Sequence, residues 1–201
     1  MSVPDWFGQL LNRELDPWLR FSEFQIAQLY QHYQLLLRWN QRMNLTTVKP
    51  GPETVIRHYC ESSFFAVHIP ASPITVLDLG SGAGFPGVPI AVLRPASKVI
   101  LVESVQKKAA FLRESTRHLQ NVSVRAARIE DVSQGGDWVV SRAVDPQEVL
   151  AAIPRLASNI GLMLGEDDFL AIRDHSGIAW KEAIRLPWGD RKICVYGECS
   201  T

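Results

Sequence analysis

The sequence predicts an α/β protein with a doubly wound, mostly parallel sheet of seven strands and an N-terminal helical extension. Three observations support this fold class. A glycine-rich loop directly follows an apolar strand at 74–79, strand-like and helix-like stretches alternate from there onward, and the first 70 residues show no strand alternation. We therefore expect a helical extension over residues 1–70 and a Rossmann-like domain over residues 71–201.

Two helices are expected in the extension. Ser22 and Gln25 have the spacing of a capping box, and the apolar residues that follow recur at helical intervals until about residue 40. A turn at 44–47 and the sequence PGP at 50–52 would end this helix. A second helix from Glu53 to about Val67 has an apolar side and another side that carries Arg57, His58 and Glu61.

The second domain follows the rhythm of strands separated by helices. Strands are expected at 74–79, 98–102, 121–126, 137–141 and 160–164, with helices near 86–93, 105–119 and 146–158. Two further strands, at 180–186 and 191–196, read as a closing hairpin. In such a sheet the carboxyl ends of the strands form the ligand crevice.

Composition limits the function classes. The chain has 201 residues, enough for one good core, and its 21 basic and 21 acidic residues give no net charge. The whole protein therefore exerts no general attraction on nucleic acid. Basic residues concentrate in 31–60 and 94–142 and acidic ones in 143–174, which fits either opposed charged faces or ordinary solvated helix surfaces.

The cysteine pattern and the lack of targeting signals predict the redox state of the thiols and the location of the protein. The three cysteines have no metal-ligand spacing, so we expect free thiols in a reducing compartment and no metal. No export signal or membrane-spanning run is recognisable, which favours a soluble cytoplasmic protein.

The glycine loop carries the strongest chemical signal. Residues 76–87 read VLDLGSGAGFPG, and Gly82, Gly84 and Gly87 match the dinucleotide pattern G-x-G-x-x-G, which alone is a weak indication. Asp78, two residues before Gly80, would repel a pyrophosphate but suits a cationic cofactor such as S-adenosylmethionine. The glycines would allow a close backbone approach to this cofactor.

Glu103 supports the same interpretation, because it ends the next strand, where an acceptor for ribose hydroxyls is needed. The alternative makes Asp78 a loop-capping residue and Glu103 a solvated strand end. Together, in their strand, turn, helix, strand order, the two acids favour a methyl-donor site.

Two other strand ends would face the same crevice. Ile129 and Glu130 follow the third strand, where the adenine ring would lie, although a charged loop there is unremarkable. Arg142 leaves the fourth strand, and we take it as the candidate catalytic residue, with a surface salt bridge as the alternative.

The type of reaction is narrowed by what the sequence lacks. Enzymes that methylate exocyclic amines commonly have an Asn or Asp, two prolines and an aromatic residue after the fourth strand, but this chain has SRAV at 141–144. Carbon methylation of pyrimidines needs a cysteine nucleophile, and none of the three cysteines falls at the crevice. Guanine N7 needs no general base, and Arg142 could contact O6 of the same base. His58 is then no base; with Arg42, Asn44 and Arg57 it is a candidate for contacts to RNA phosphate or sugar.

These residues resemble the glucose-inhibited division protein B family, bacterial methyltransferases that modify guanine N7 in small-subunit (16S) ribosomal RNA. The resemblance spans most of the chain and is distinctive in combination. It is carried by RWN at 38–40, MNLT at 43–46, RH at 57–58, GSGAGFPG at 80–87, RIE at 128–130 and SRAV at 141–144.

The resemblance implies the class I S-adenosylmethionine-dependent methyltransferase fold. It implies cofactor contacts through Gly80, Phe85, Ile129, Glu130 and Arg142, with Glu103 near the ribose, and RNA contacts by the basic N-terminal region. The chain departs from the family pattern at two positions. Leu164 stands where the family usually has a lysine before glycine, and Glu61 stands where it has aspartate.

Several functions remain open from the sequence. The leading hypothesis is a monomeric enzyme that methylates guanine N7 of 16S ribosomal RNA, free or in the small-subunit particle, with S-adenosylmethionine as donor. The absent lysine leaves room for an RNA-binding ribosome-assembly factor with a vestigial or slow methyl-donor site. A small-molecule methyltransferase is possible at zero net charge, and Asp78 argues against a nicotinamide dehydrogenase.

Overall fold

A computed structural model describes residues 2–43, 49–189 and 191–199, and within these residues the fold is a seven-stranded sheet in the order β3-β2-β1-β4-β5-β7-β6. β1 to β5 are parallel, and β7 runs antiparallel between β5 and β6. The predicted doubly wound, mostly parallel sheet is confirmed. The strands are β1 Thr75–Leu79, β2 Lys98–Val102, β3 Val122–Arg125, β4 Trp138–Arg142, β5 Asn159–Gly165, β6 Ile178–Arg185 and β7 Lys192–Cys199.

The direction of strand order reverses at β1. After building β2 and β3 on one side of β1, the chain crosses to β4 on its other side. The connections from β1 and β4 therefore diverge and leave a crevice at the carboxyl ends of the strands, where ligands of such folds bind. The glycine loop after β1 and Arg142 at the end of β4 both lie at this crevice.

The N-terminal region is helical, as predicted, and the helix predicted after Ser22 begins where expected. The capping box forms: Ser22 Oγ accepts from the Gln25 backbone N–H at 3.3 Å, and Gln25 Oε1 accepts from the Ser22 N–H at 2.9 Å. The helix that it starts continues to Met43, beyond the predicted end. The N-terminal helices are α1 Asp5–Leu15, α2 Glu23–Met43, α3 Pro52–Thr54 and α4 Glu61–Val67, with a π-helical segment Val55–Cys60 joining the last two.

The later helices are α5 Gly87–Leu93, α6 Gln106–Ser115, α7 Pro146–Leu156 and α8 Glu166–Ile172. α6 is shorter than predicted, and α8 was not predicted. α7 begins as the sequence suggests, with Pro146 in the first turn and Asp145 accepting from the Gln147 N–H at 2.9 Å.

Two apolar cores lie on the two faces of the sheet. On one face, side chains of β1, β2 and β4 pack against α5, α6 and the N-terminal helices, which contribute Phe7, Leu29, Tyr59 and Phe65. On the other face, the alternate residues of the same strands pack against α7 and α8. β1, β2, β4 and β5 are therefore buried on both sides over most of their length, which explains their continuous apolar runs, whereas the edge strand β3 is only partly buried. The N-terminal helices share a core with the sheet.

Glu61 does not share a side of the helix with Arg57 and His58, so this prediction is wrong. Its side chain is only 3% exposed, whereas Arg57 is exposed and His58 half-buried. A regular α-helix of 3.6 residues per turn would place Glu61 on the same side as Arg57 and His58. The wide π-helical turn at Val55–Cys60 rotates the residues that follow it, so Glu61 lies on a different side of the helix. Two cations on distant strands surround the buried carboxylate and compensate its charge.

Candidate active site at the carboxyl ends of the strands

The glycine loop after β1 is held in a tight left-handed course. Gly80, Gly82 and Gly84 have φ angles of +69°, +58° and +93°, which side chains rarely tolerate. A Cβ on Gly80 would also lie 2.3 Å from Cγ2 of Val144, so the loop lies directly against the segment after β4. Ser81 fixes the loop to the sheet: its N–H donates to the Val102 carbonyl at 3.0 Å.

Asp78 lies beneath this loop. Its side chain is fully buried, and Oδ2 accepts from the Gly87 N–H at 3.0 Å, where α5 begins. The loop-capping alternative from the sequence describes this contact. Burial raises the pKa of the carboxyl to about 7. Oδ1 has no hydrogen-bond partner among the described residues, so one acceptor remains available beneath the loop.

Glu103, at the end of β2, also contacts the loop. Oε2 accepts from the Gly82 N–H at 2.9 Å and Oε1 from the Val105 N–H at 2.8 Å. A carboxylate offers about four lone-pair positions, so these two bonds leave further acceptor capacity. The side chain is therefore a positioned acceptor, where the alternative expected a solvated strand end.

A cavity of about 360 Å³, a size within the range of small-molecule sites, is lined by Gly80 of the loop and by Val102 and Ser104 on either side of Glu103, but neither Asp78 nor Glu103 is among its lining residues. Of the predicted cofactor residues, Gly80, Ile129 and Glu130 line it directly. We call it the donor cavity, after the methyl donor that the sequence predicts at this crevice. Its other lining residues are Val102, Ser104, Ala127, Arg128, Val144 and Glu148.

The ring of Phe85 points away from the donor cavity lining. It is buried in an aromatic cluster, 5.0 Å from the ring of His58 in a stacked arrangement and 5.0 Å from Tyr59 edge-on. Burial and the nearby charges of Arg142 and Arg57 lower the pKa of His58 to about 3, so this ring is neutral at physiological pH. Phe85 thus connects the glycine loop to the N-terminal helices, and any ligand contact would involve its backbone.

Arg142 forms a buried ion pair. Nη2 donates to Glu61 Oε2 at 2.7 Å and to the Arg57 carbonyl at 2.8 Å, and the Arg142 side chain is 14% exposed. Arg142 does form a salt bridge, as the alternative expected, but the pair is buried and does not lie at the surface. Nη1 is buried without a hydrogen-bond partner among the described residues, which leaves a donor free.

A second cavity, of about 260 Å³, adjoins the donor cavity, because Val144 lines both. We call it the cationic cavity, since three basic side chains border it. Lys192 was missed, because it reaches the site only through strand pairing, and of the residues that line this cavity only Arg57 and Arg142 were candidate site residues from the sequence. Its lining is Arg57, Glu61, Arg142, Ala143, Val144, Pro146, Met163, Leu164, Gly165, Asp168, Leu186 and Lys192.

Residues 25–175 match the model of the rRNA small subunit methyltransferase G family. The chain belongs to this family. A family member from Lactococcus lactis is 33% identical over 213 residues, covering 94% of this chain and 88% of its own. Another from Nitrosomonas eutropha is 40% identical over 126 residues; that match covers 61% of this chain and only 58% of the relative.

The solved structures agree with the fold. An S-adenosylmethionine-dependent methyltransferase from Aquifex aeolicus superposes with a TM-score of 0.60 at 16% identity, covering 73% of this chain and 93% of that one. The fold is thus that of the class I methyltransferases, as expected. The donor cavity of this chain lies at the carboxyl ends of the strands, where such folds have their ligand crevice.

The four RNA candidates of this family member are not all brought together. Arg57 borders the cationic cavity with His58 behind it, whereas Arg42 lines a separate surface depression with Arg38 and Trp39. Asn44 lies outside the described residues. No described helix has the length and apolarity needed to cross a bilayer, and no metal-binding group of His, Cys, Asp or Glu occurs in the described ranges.

Proposed function

We propose that the protein transfers a methyl group from S-adenosylmethionine to N7 of a guanine in 16S ribosomal RNA. The observation that carries the proposal is the pair of adjoining cavities at the carboxyl ends of the strands. The first is lined by Glu130 and Glu148 and borders the glycine loop that Asp78 and Glu103 hold, the second is lined by basic side chains, and Val144 lines both. Membership in the small-subunit methyltransferase G family favours this reaction over other transfers.

The donor cavity fits S-adenosylmethionine. The spare acceptor capacity of Glu103 suits the ribose hydroxyls, and Ile129 with Glu130 suits the adenine ring. The left-handed glycines and the unpartnered Oδ1 of Asp78 lie under the loop, where the positively charged part of the molecule would pass. Bound there, S-adenosylmethionine would supply an electrophilic methyl group on a sulfonium.

The acceptor chemistry explains why this chain needs no general base. Guanine N7 has a lone pair and no proton, so transfer forms one N–C bond, breaks one S–C bond and releases no proton. His58, neutral and packed on Phe85, is accordingly not required as a base.

Arg142 is suited to hold such a base without blocking it. An arginine that contacts guanine with both terminal nitrogens covers O6 and N7 together. Here Nη2 is already bound to Glu61 and to the Arg57 carbonyl, so a contact through both terminal nitrogens is not available, and Nε and Nη1 remain. A single bond from one of these nitrogens to O6 would orient the base and leave N7 open.

Zero net charge makes the attraction to RNA a local effect of Arg57, Arg142, Lys192 and the exposed Arg42. We propose that a monomer acts on the RNA or on the small-subunit particle, in the cytoplasm where both are assembled. Binding should therefore weaken steeply with salt.

The test is to incubate the protein with methyl-labelled S-adenosylmethionine and unmodified 16S RNA, either naked or in small-subunit particles. Digestion and mass spectrometry then map the label. One labelled guanine carrying a fixed positive charge is the expected product. Label on an exocyclic amine or on carbon would contradict the N7 assignment, and RNA binding without label would indicate an assembly factor instead.

A further inference from the structure

The cationic cavity contains a side-chain cluster in which Lys192 has so far been given only a general attraction to RNA. The buried Glu61 carboxylate lies between two cations: Arg142 Nη2 is 2.7 Å from Oε2, and Lys192 Nζ is 3.2 Å from Oε1. Both cations come from strands far along the chain from Glu61, so the cluster exists only in the folded protein.

The cluster carries a positive excess. Arg57, Arg142 and Lys192 outnumber Glu61 and the exposed Asp168 among the charged residues that line the cavity. A carboxylate shared by two cations cannot saturate the donors of both. Arg142 Nη1 is unpartnered among the described residues, and an ammonium has three N–H donors, of which Glu61 engages only part.

Lys192 is the solvent-reaching member of the cluster. Its side chain is 35% exposed, compared with 14% for Arg142 and 3% for Glu61. In the antiparallel pairing of β5 with β7, Lys192 lies opposite Gly165, immediately beside Leu164. Leu164 contributes only an apolar wall, so the positive charge at this end of the sheet comes from the neighbouring strand.

The size and charge of the cavity indicate what it holds. About 260 Å³ is small for a whole nucleotide with its phosphate, and suits a single planar base. The buried Arg142 would then contact the edge of the base. Lys192, at the rim of the cavity, would contact the phosphate of the same nucleotide outside the cavity. Contacts of lysine with phosphate position a nucleic acid without reading its sequence.

We propose that the cationic cavity is the target-nucleotide subsite and that Lys192, held by Glu61, binds the phosphate of the nucleotide whose base enters it. This inference rests on the proposed function and adds a substrate-binding residue to it. Lys192 positions the RNA; it does not contact the donor, which lies on the other side of Val144.

The experiment compares Lys192→Ala and Lys192→Arg with Lys181→Ala. Lys181 is the matched control, because it lies on the partner strand β6 and pairs with Glu198 at the exposed surface, away from both cavities. Binding to unmodified 16S RNA is measured with S-adenosylhomocysteine present, over a range of salt concentrations. Affinity for S-adenosylhomocysteine alone and the melting temperature are measured in parallel.

Lys192→Ala should weaken RNA binding by about tenfold and reduce the slope of log affinity against log salt by about 0.7–0.9. Lys192→Arg and Lys181→Ala should stay close to the wild type, and donor affinity should be unchanged in all three. In turnover assays the loss should fall on KM for RNA and leave kcat nearly constant.

Unchanged RNA affinity and salt slope in a folded Lys192→Ala protein would overturn the subsite. So would a loss of donor affinity, which would assign Lys192 to the donor cavity. If the wild type binds RNA through Lys192 but transfers no methyl group, the proposed function fails and the subsite stands. If the wild type methylates RNA and Lys192→Ala behaves like Lys181→Ala, the function stands and the subsite fails.

Discussion

Glu61 shows most clearly how one residue organises the site. A buried carboxylate between Arg142 and Lys192 is tolerable only while its partners remain, because removing one side of a buried ion pair leaves an uncompensated charge. Neither partner could be identified from the sequence, since they lie 81 and 131 positions away. The π-helical turn before Glu61 also disguised its burial.

We therefore expect Glu61→Gln to lower the free energy of unfolding by about 3 kcal/mol, because Arg142 is left with its charge uncompensated. Urea denaturation measures this loss. Glu198→Gln is the control, since it breaks the exposed pair with Lys181 and should cost at most about 1 kcal/mol. Equal losses in the two variants would show that the Glu61 cluster adds no more than a surface pair.

Asp78 provides a pH-dependent test at the same scale. Its pKa is raised by burial from 3.8 to about 7, so between these values the folded state binds a proton that the unfolded state has released. The contribution of Asp78 is thus fully present below pH 3.8 and is lost as the pH rises toward 7. The slope should be at most about 1.4 kcal/mol per pH unit.

Asp78→Asn should remove this dependence. The difference in unfolding free energy between wild type and variant should shift in favour of the variant from pH 4 to pH 7 and level off above. Denaturation at a series of pH values measures it. A difference that is constant with pH would mean that the carboxyl titrates alike in both states.

At the level of elements, the glycine loop and the segment after β4 form one unit. Gly80 and Gly82 have similar left-handed φ angles, but only at Gly80 would a Cβ clash with Val144. Gly82→Ala should cost about 1–2 kcal/mol of stability from backbone strain alone. Gly80→Ala should cost about 1–3 kcal/mol more, from overpacking.

The clash can be isolated in a double-mutant cycle. Combining Gly80→Ala with Val144→Ala should recover the excess cost, beyond what Val144→Ala does alone. Chemical denaturation of the four proteins gives the coupling. Additive effects would mean that the loop and the β4 segment are energetically independent.

The elements also show what the sequence could predict. β1, β2, β4 and β5 were recognisable because parallel strands buried on both faces read as continuous apolar runs, whereas the partly buried β3 mixes polar with apolar residues. α8 was missed because its first turn, Glu166 to Asp168, resembles a polar loop directly after β5. The candidate donor residues were found from their places at strand ends, whereas Lys192 required the register of β7 against β5.

For the whole molecule, the shared core of the N-terminal helices and the sheet determines what can fold alone. Residues such as Phe7, Tyr59 and Phe65 cover one sheet face, and Phe85 joins the glycine loop to the same cluster. The predicted boundary near residue 70 therefore separates two parts of one core.

We expect the fragment 71–201 not to fold by itself, because an entire apolar sheet face would be exposed to water. Compared with the full chain, it should bind a hydrophobic dye strongly and give poorly dispersed NMR spectra. A cooperative unfolding transition with dispersed resonances would instead make the sheet domain autonomous.

S-Adenosylmethionine is proposed to lie at the carboxyl ends of β1 and β2, with its methyl-bearing end toward the cationic cavity. A crystal structure with S-adenosylhomocysteine tests it most directly. We expect the ribose hydroxyls within hydrogen-bond distance of Glu103, the adenine beside Ile129, and the sulfur facing Val144. A ligand bound elsewhere, or with its sulfur turned away from Val144 and Arg142, would contradict it.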